Sequence, residues 1–230
     1  MNFELCTDSL VGAIEAQKHR FKRIELCSAL SIGGLTPSVG LIEQCVKQST
    51  VEVHVMIRHK AGGFNYSVDD LEIMKTDIKV SASAGAYGVV FGVLNERNQV
   101  ADSNLDLVKL AKSLGMEATF HRAFDFVKNY KTAIEQLIAM GFDRLLTSGL
   151  QPKVEQGLEV IIDLQERYGN RIEIMAGSGV NANNALKIAK SGVRNLHFTA
   201  HKKSGNLQGL SMGDVMVVDE EKMKNILKLF

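Results

Sequence analysis

VEVHVMIR, residues 51–58, alternates without a break: Val53, Val55 and Ile57 fall on one side, and His54, Met56 and Arg58 on the other. Successive side chains of a strand point to opposite faces, so this is a strand with one apolar face and one face rich in functional groups. Similar short runs occur on both sides of it, at Asn2–Cys6, Arg23–Cys27, Gly88–Leu94, Glu117–His121, Arg144–Ser148, Ile172–Ala176 and Asn195–Thr199, giving eight strands in all. Amphipathic stretches of helix length lie between them. Residues 67–86 open on a Ser67 cap and carry Leu71, Met74 and Ile78 on one face; residues 103–115 and 130–141 stop at Gly115 and Gly141; residues 181–192 start Asn-rich and stop at Gly192; residues 218–230 close the chain.

Strands alternating with helices indicate βαβ units and a parallel sheet. Eight such units in 230 residues predict a closed (βα)8 barrel, α/β in class, as one compact domain over residues 1–230. A doubly wound sheet is the alternative, weakened because ELCTDS rather than a glycine-rich dinucleotide fingerprint follows the first strand. The longest irregular stretches, Ser28–Pro37, Ala61–Ser67 and Lys202–Val217, follow strands, where a barrel carries its working loops.

Composition sets the boundaries of function. There are 27 Lys+Arg against 26 Asp+Glu, a net charge of +1, which gives no broad field for nucleic acid or an acidic membrane. No apolar run is long enough for a membrane span, and MNFELCTDSL does not read as a leader, so a cytoplasmic protein is expected. Three cysteines are too few for a disulfide scaffold and are expected to be reduced thiols. A homodimer through apolar patches at helix ends is a further expectation.

In a barrel the outward face of each strand meets the helices and must be apolar. Phe3 and Leu5, Ile24 and Leu26, Phe120, and Leu196 and Phe198 take that role, which leaves Glu4, Cys6, Glu25, Cys27, Thr119, His121, His197 and Thr199 inside with His54, Met56 and Arg58. Val, Ile and Leu usually fill barrel layers, so so many polar groups at one end predict a site. A lone inward Glu is ordinarily paired with a neighbouring Arg; the collection is what argues for chemistry. The candidates for catalysis are Glu25, His54, Arg58, His121, Arg122 and Asp125. Glycine loops at TSGLQP and IMAGSGV place Ser148, Gly149, Gly177 and Gly179 as candidates for holding an anion or phosphate, with a simple tight turn as the alternative. Cys6 and Cys27 occupy matching positions on neighbouring strands and could share a soft ion such as Cu(I), or be small buried apolar groups; Glu4, Glu25, His54 and His121 could instead hold a divalent cation such as Mn or Zn. Cys45 sits on an amphipathic helix and is read as packing. No inward strand Lys, GxSxG or P-loop is present.

ELC (25–27) followed by GGLTPS (33–38), with VHVMIR (53–58), FHRAFD (120–125), LTSG (146–149) and IMAGSGV (174–180), resembles the CutC copper-homeostasis family from residue 2 to about residue 200. The resemblance implies a (βα)8 barrel, a cytoplasmic location, a role in copper tolerance or trafficking, and Cu(I) binding through Cys6 and Cys27. The chain departs from the family's Arg-Pro-Arg-Gly-Gly run at Arg58-His59-Lys60-Ala61-Gly62, where Lys60 would turn a bidentate anion clamp into a point charge. Three readings stay open: a Cu(I)-binding protein, an enzyme using the His, Glu and Arg groups on a small anionic substrate, and a module that holds a metabolite without turnover.

Overall fold

The computed structural model describes residues 1–204 and 216–230. Eight parallel strands close into a barrel in chain order: β1 (Asn2–Thr7), β2 (Arg23–Leu26), β3 (Glu52–Met56), β4 (Gly88–Phe91), β5 (Glu117–Phe120), β6 (Arg144–Thr147), β7 (Glu173–Ala176) and β8 (Asn195–Thr199). These are the eight runs read from the alternation, trimmed or extended at their ends. The helices are α1 (Leu10–Lys18), α2 (Val39–Gln48), α3 (Val68–Ser83), α4 (Ser103–Ser113), α5 (Tyr130–Met140), α6 (Leu158–Tyr168), α7 (Ala185–Ala189) and α8 (Glu220–Leu227). Helices α1 and α6 were not singled out by periodicity. The Asn-rich start of the seventh unit is spent on turns, which shortens α7 to five residues. The Lys202–Val217 stretch is not wholly irregular: its ends pair as antiparallel β9 (His201–Lys203) and β10 (Met216–Val218), and residues 205–215 lie outside the described residues.

Local chemistry starts and stops the helices as expected. The Ser67 hydroxyl accepts from the Asp70 N–H while the Asp70 carboxylate accepts from the Ser67 N–H, a reciprocal cap. Gly141, beyond the last turn of α5, takes φ +89°, a conformation that costs glycine least.

Phe3, Leu5, Ile24, Leu26, Val53, Val55, Ile57, Phe120, Leu196 and Phe198 all join the main apolar core between strands and helices. Cys6, Cys27, Met56 and Val90 form a separate cluster inside the barrel. Parity therefore assigns the two faces correctly. Height is another matter, because the strands are tilted. Hydrogen-bonded register runs from Cys6 through Glu25, His54 and Gly88 to Glu117. It resumes two residues higher, from Thr119 through Arg144 to Glu173, and two higher again, from Met175 through Asn195 to Asn2. One circuit is thus displaced by eight residues, the stagger a closed eight-stranded barrel requires. Residues on one rung lie near the C-terminal mouth on β1 and near the opposite floor on β5.

The floor is ionic. Arg23, fully buried, donates from Nε to Glu4 Oε2 at 2.7 Å and from Nη2 to Glu173 Oε1 at 2.8 Å and Asn195 Oδ1 at 3.0 Å. Arg144 donates to Thr119 Oγ1 at 3.0 Å, Glu117 Oε2 at 2.9 Å and Glu173 Oε2 at 3.0 Å. Glu173 thereby bridges both guanidinium groups. Gly88 makes room beside this layer: a Cβ there would meet His54 Nδ1 at 2.4 Å.

Removing one partner from such a layer leaves buried charge uncompensated, and that is expected to cost about 3–5 kcal/mol. Arg23→Met should lower the urea-unfolding free energy by an amount in that range, whereas Arg171→Gln, which breaks only an exposed pair with Glu135, should change it by less than about 1 kcal/mol.

Candidate functional site

The C-terminal ends of the strands open into a cleft of about 640 Å³. Its deep wall carries Cys6, Glu25, Met56, Leu146 and His197; its rim carries Leu30, Arg58, Phe64, His121, Arg122, Phe126, Lys153 and the β7 loop Ser178–Val180. Every loop that follows a barrel strand reaches this end, which is why residues remote in sequence meet here.

Glu25 is 3% exposed, and its Oε1 has no hydrogen-bond partner. Burial pushes its carboxyl above the usual range. Its Oε2 accepts from the Cys27 thiol at 3.6 Å and lies 3.8 Å from His197 Nε2. His197 holds Glu4 Oε1 through Nδ1 at 2.7 Å. Burial alone would lower the His197 pKa, but the charges of Glu25 and Glu4 and its hydrogen bonds outweigh burial and raise it well above the ordinary value. Glu4 moves the other way: burial is overcome by the His197 hydrogen bond and charge and by Arg23, so its carboxyl is held low. A charged Glu4–His197 pair thus stands beneath Glu25.

His121 is the opposite kind of histidine. Its Nδ1 accepts from the Ala123 N–H at 3.2 Å, so a neutral ring carries its proton on Nε2. That Nε2 is buried and without a partner. Burial first, and the Arg58 charge second, bring its pKa down to about 3. The ring packs edge-on against Phe64 at 4.8 Å, and a Cβ on Gly92 would meet it at 2.7 Å.

The structure separates other candidates from the cleft. Glu4 belongs to the floor network as the paired carboxylate, and His54 lies below the cleft, 3.8 Å from Glu117 Oε2 with neither ring nitrogen hydrogen-bonded. Burial lowers the His54 pKa to about 3. The proposed quartet of Glu4, Glu25, His54 and His121 is therefore not one ligand set; parity points them all inward, and strand tilt sets them at different heights. Glu4, Glu25 and His197 do offer ligand atoms within 4.8 Å and could hold a metal ion, although Arg23 and His197 already occupy both Glu4 oxygens.

Asp125 and the β6 loop are also read differently. The Asp125 carboxylate accepts from Ser148 N, Ser148 Oγ, Leu150 N and Thr147 Oγ1, the last at 2.5 Å, and pairs with Arg122 Nε at 2.8 Å. Gly149 N–H donates to Thr147 Oγ1 at 2.9 Å. The Ser148 amide thus serves the Asp125 carboxylate and the Gly149 amide the Thr147 hydroxyl, rather than an external anion, and neither residue lines the cleft. Gly177 is needed for packing, since a Cβ there would sit 2.6 Å from Leu146 and 3.2 Å from His197. Gly179 does line the cleft.

Arg58 pins two loops through Ile32 O, Gly34 O and Gly62 O at 2.8–3.1 Å, and it reaches the cleft wall with its guanidinium over Phe64 at 5.6 Å. Lys60 is turned to Asp70, 2.5 Å away at the start of α3, so the altered loop position is not an anion clamp at the mouth.

Cys6 and Cys27 come together with Glu25, their ligand atoms within 4.8 Å. As a seat for Cu(I) the set fits in part. Two thiols suit a soft ion, but the third donor is a hard carboxylate. The thiols' mutual hydrogen bonding, burial and the Glu25 charge raise the Cys6 pKa, and the Cys27 pKa is raised to about 11, keeping both protonated. Cys45 is buried against α2's packing face, as read.

The family model for CutC matches residues 1–202. The chain belongs to the CutC family. A CutC family protein of Glaesserella parasuis is 41% identical, covering 99% of this chain and 98% of its own length, and one of Bacteroides fragilis is 39% identical over 95% and 89%. A solved structure named as a copper homeostasis protein CutC, from Streptococcus agalactiae, is 33% identical, covers 86% of this chain and 97% of its own, and superposes with a TM-score of 0.80. A 3-hexulose-6-phosphate synthase superposes at 0.64 with 15% identity over 99% of each chain, which shows the shared barrel alone. No described helix is long and apolar enough to cross a membrane.

Arg23, Glu117, Arg144 and Glu173 share the inward parity of Glu25, His121, Ser148 and Gly177 and were legible from it as inward groups, whereas Lys153 lies in a loop with no pattern to mark it.

The two depressed imidazoles have a pH signature. From about pH 6.5 down toward 3, the unfolded chain takes up protons that buried His54 and His121 refuse, so folding stability falls as pH falls. Each imidazole contributes about 1.4 kcal/mol per pH unit within that window. Urea unfolding between about pH 6.5 and 4.5 should show a slope smaller by roughly that amount in His121→Asn than in the unaltered protein.

Proposed function

We propose that the protein is an enzyme that performs acid–base chemistry on a small anionic substrate held in the mouth of the barrel. The observation that carries this reading is a pair of buried, unpartnered groups in one cleft: Glu25 Oε1 and His121 Nε2. Buried polar atoms are normally satisfied, and exceptions collect where a ligand completes them. Glu25, its carboxyl pKa raised by burial and one oxygen unpartnered over the charged Glu4–His197 pair, is placed to exchange a proton with a bound substrate. His121 is suited to donate from Nε2 to a substrate oxygen as a neutral imidazole, a pattern with precedent among barrel isomerases. Arg58 and Arg122 supply positive potential at the rim. Asp125 positions Arg122 and the β6 loop. A binding module without turnover would use the same cleft and is separated by the absence of any change in its bound metabolite.

The test is to incubate the purified protein with a small-metabolite extract in deuterated water and follow both composition and deuterium incorporation by mass spectrometry. A specific metabolite should change or take up deuterium, with the rate reduced roughly 10²–10⁴-fold in Glu25→Gln and His121→Asn. An unaltered extract, or equal rates in all three proteins, would refute the reading.

A second reading, Cu(I) held by Cys6 and Cys27, is favoured by the proximity of the two thiols. Competition of the reduced protein against a Cu(I) chelator should then show binding that disappears in the Cys6→Ser, Cys27→Ser double variant; unchanged affinity in that variant excludes the cysteine site.

A further inference from the structure

The β7 loop and the loop after β6 are fastened together beside the cleft. Ser178 Oγ donates to Pro152 O at 2.8 Å, and Val154 N–H donates to Ser178 O at 3.0 Å. These two bonds flank Lys153 in the chain and fix its backbone against the β7 loop. The Lys153 side chain crosses Gly179 so closely that a Cβ there would lie 2.8 Å from its Cδ. Gly179, at φ +82°, is thus required twice over, for its backbone conformation and for the passage of Lys153.

The loop's peptide planes are fixed as well. Ser178 O is held by Val154 N–H, and Gly179 O accepts from the side-chain amides of Asn181 and Asn184, each at 2.9 Å. In a trans peptide the N–H points opposite to the preceding carbonyl. The Gly179 and Val180 N–H groups therefore face away from those partners, and among the described residues neither has an acceptor. Successive amides around a left-handed residue make a concavity for an anion. Ser178 itself sits at φ +81°, strain that the surrounding hydrogen bonds impose.

Two cations complete the setting. Lys153 has no carboxylate partner among the described residues, and Arg122, committed through Nε to Asp125 and through Nη2 to Ser148 Oγ, keeps Nη1 uncommitted. Both line the same cleft as Glu25 and His121, whose unpartnered atoms are more than nine-tenths buried.

We infer that the substrate is a small phosphate monoester, its phosphate held by Lys153, the Gly179 and Val180 amides and Arg122, with its oxygen-bearing carbon chain extending toward Glu25 and His121. This rests on the acid–base reading of the cleft and adds the substrate class and Lys153 as a specificity-determining residue. Two convergent amides and two cations suit a dianionic tetrahedral group with three terminal oxygens better than a planar monoanionic carboxylate.

Nitrogen-15 amide spectra of the full chain, titrated with inorganic phosphate and separately with acetate, test it. Phosphate should shift the Gly179 and Val180 amides saturably, and acetate should not. Lys153→Gln should weaken phosphate roughly tenfold, the loss of one charge-assisted hydrogen bond, and Lys153→Arg should restore most of it. No saturable shift at these amides, an equal response to acetate, or unchanged affinity in Lys153→Gln overturns the inference. If those results appear while the unaltered protein still transforms a metabolite in a Glu25-dependent way, only the phosphate assignment falls and the acid–base reading stands.

Discussion

Arg23 is the hinge of the molecule's electrostatics. Completely buried on the barrel floor, it holds Glu173 on one side and Glu4 on the other. Glu4 in turn fixes His197 through Nδ1, and His197 directs Nε2 toward Glu25 at the base of the cleft. A continuous chain of charge and hydrogen bonds therefore runs from the N-terminal floor to the C-terminal mouth. Buried ions stabilise poorly by themselves, because desolvation offsets attraction, but a connected network fixes geometry: Glu173 is held by both guanidinium groups and Glu4 by Arg23 and His197.

That constraint explains why two histidines of one barrel end in opposite states. His197 lies between two carboxylates and is held protonated; His121 has a backbone N–H on one nitrogen, an apolar ring against it and Arg58 nearby, and is held neutral. The residue type is the same and the surroundings decide the charge. The cysteines follow the same logic. The hydrogen bond with Cys27, burial and the Glu25 carboxylate outweigh the lowering effect of His197 on Cys6, so Cys6 and Cys27 stay thiols, unlike activated cysteines in which a neighbouring positive charge prevails.

Much of the fold was legible. Eight alternating runs marked eight strands, and in the five whose parity was read, β1, β2, β3, β5 and β8, the apolar residues identified the outward face, down to the separation of Cys6, Cys27 and Met56 from the main core. The site was legible only in part. Glu25, Arg58, His121, Arg122 and Gly179 do line the cleft, and Cys6 does too. Glu4 and His54 share their parity but not their height. Asp125, Ser148 and Gly149 are taken up internally, because a carboxylate placed by the loop after β5 takes the Ser148 and Leu150 amides, and the Thr147 hydroxyl takes the Gly149 amide, that the glycine-rich motif after β6 would have offered to a ligand. Lys153 gave no signal, since loop positions carry no periodicity from which direction could be inferred.

What the amino-acid sequence determined by itself is therefore local: the period that makes a strand or helix, the residue that caps it, and the side of the strand on which a group emerges. These follow from backbone geometry within a few residues. What the tertiary structure alone decided is which inward groups meet. Closing eight tilted strands displaces the register by eight residues per circuit, so the rung that passes Cys6 and Glu25 near the mouth reaches Glu117 at the floor. Pairing Glu4 with Arg23 and His197, and setting Glu25 and His121 around one cleft, depends on that stagger, which is a property of the closed sheet and of no single strand.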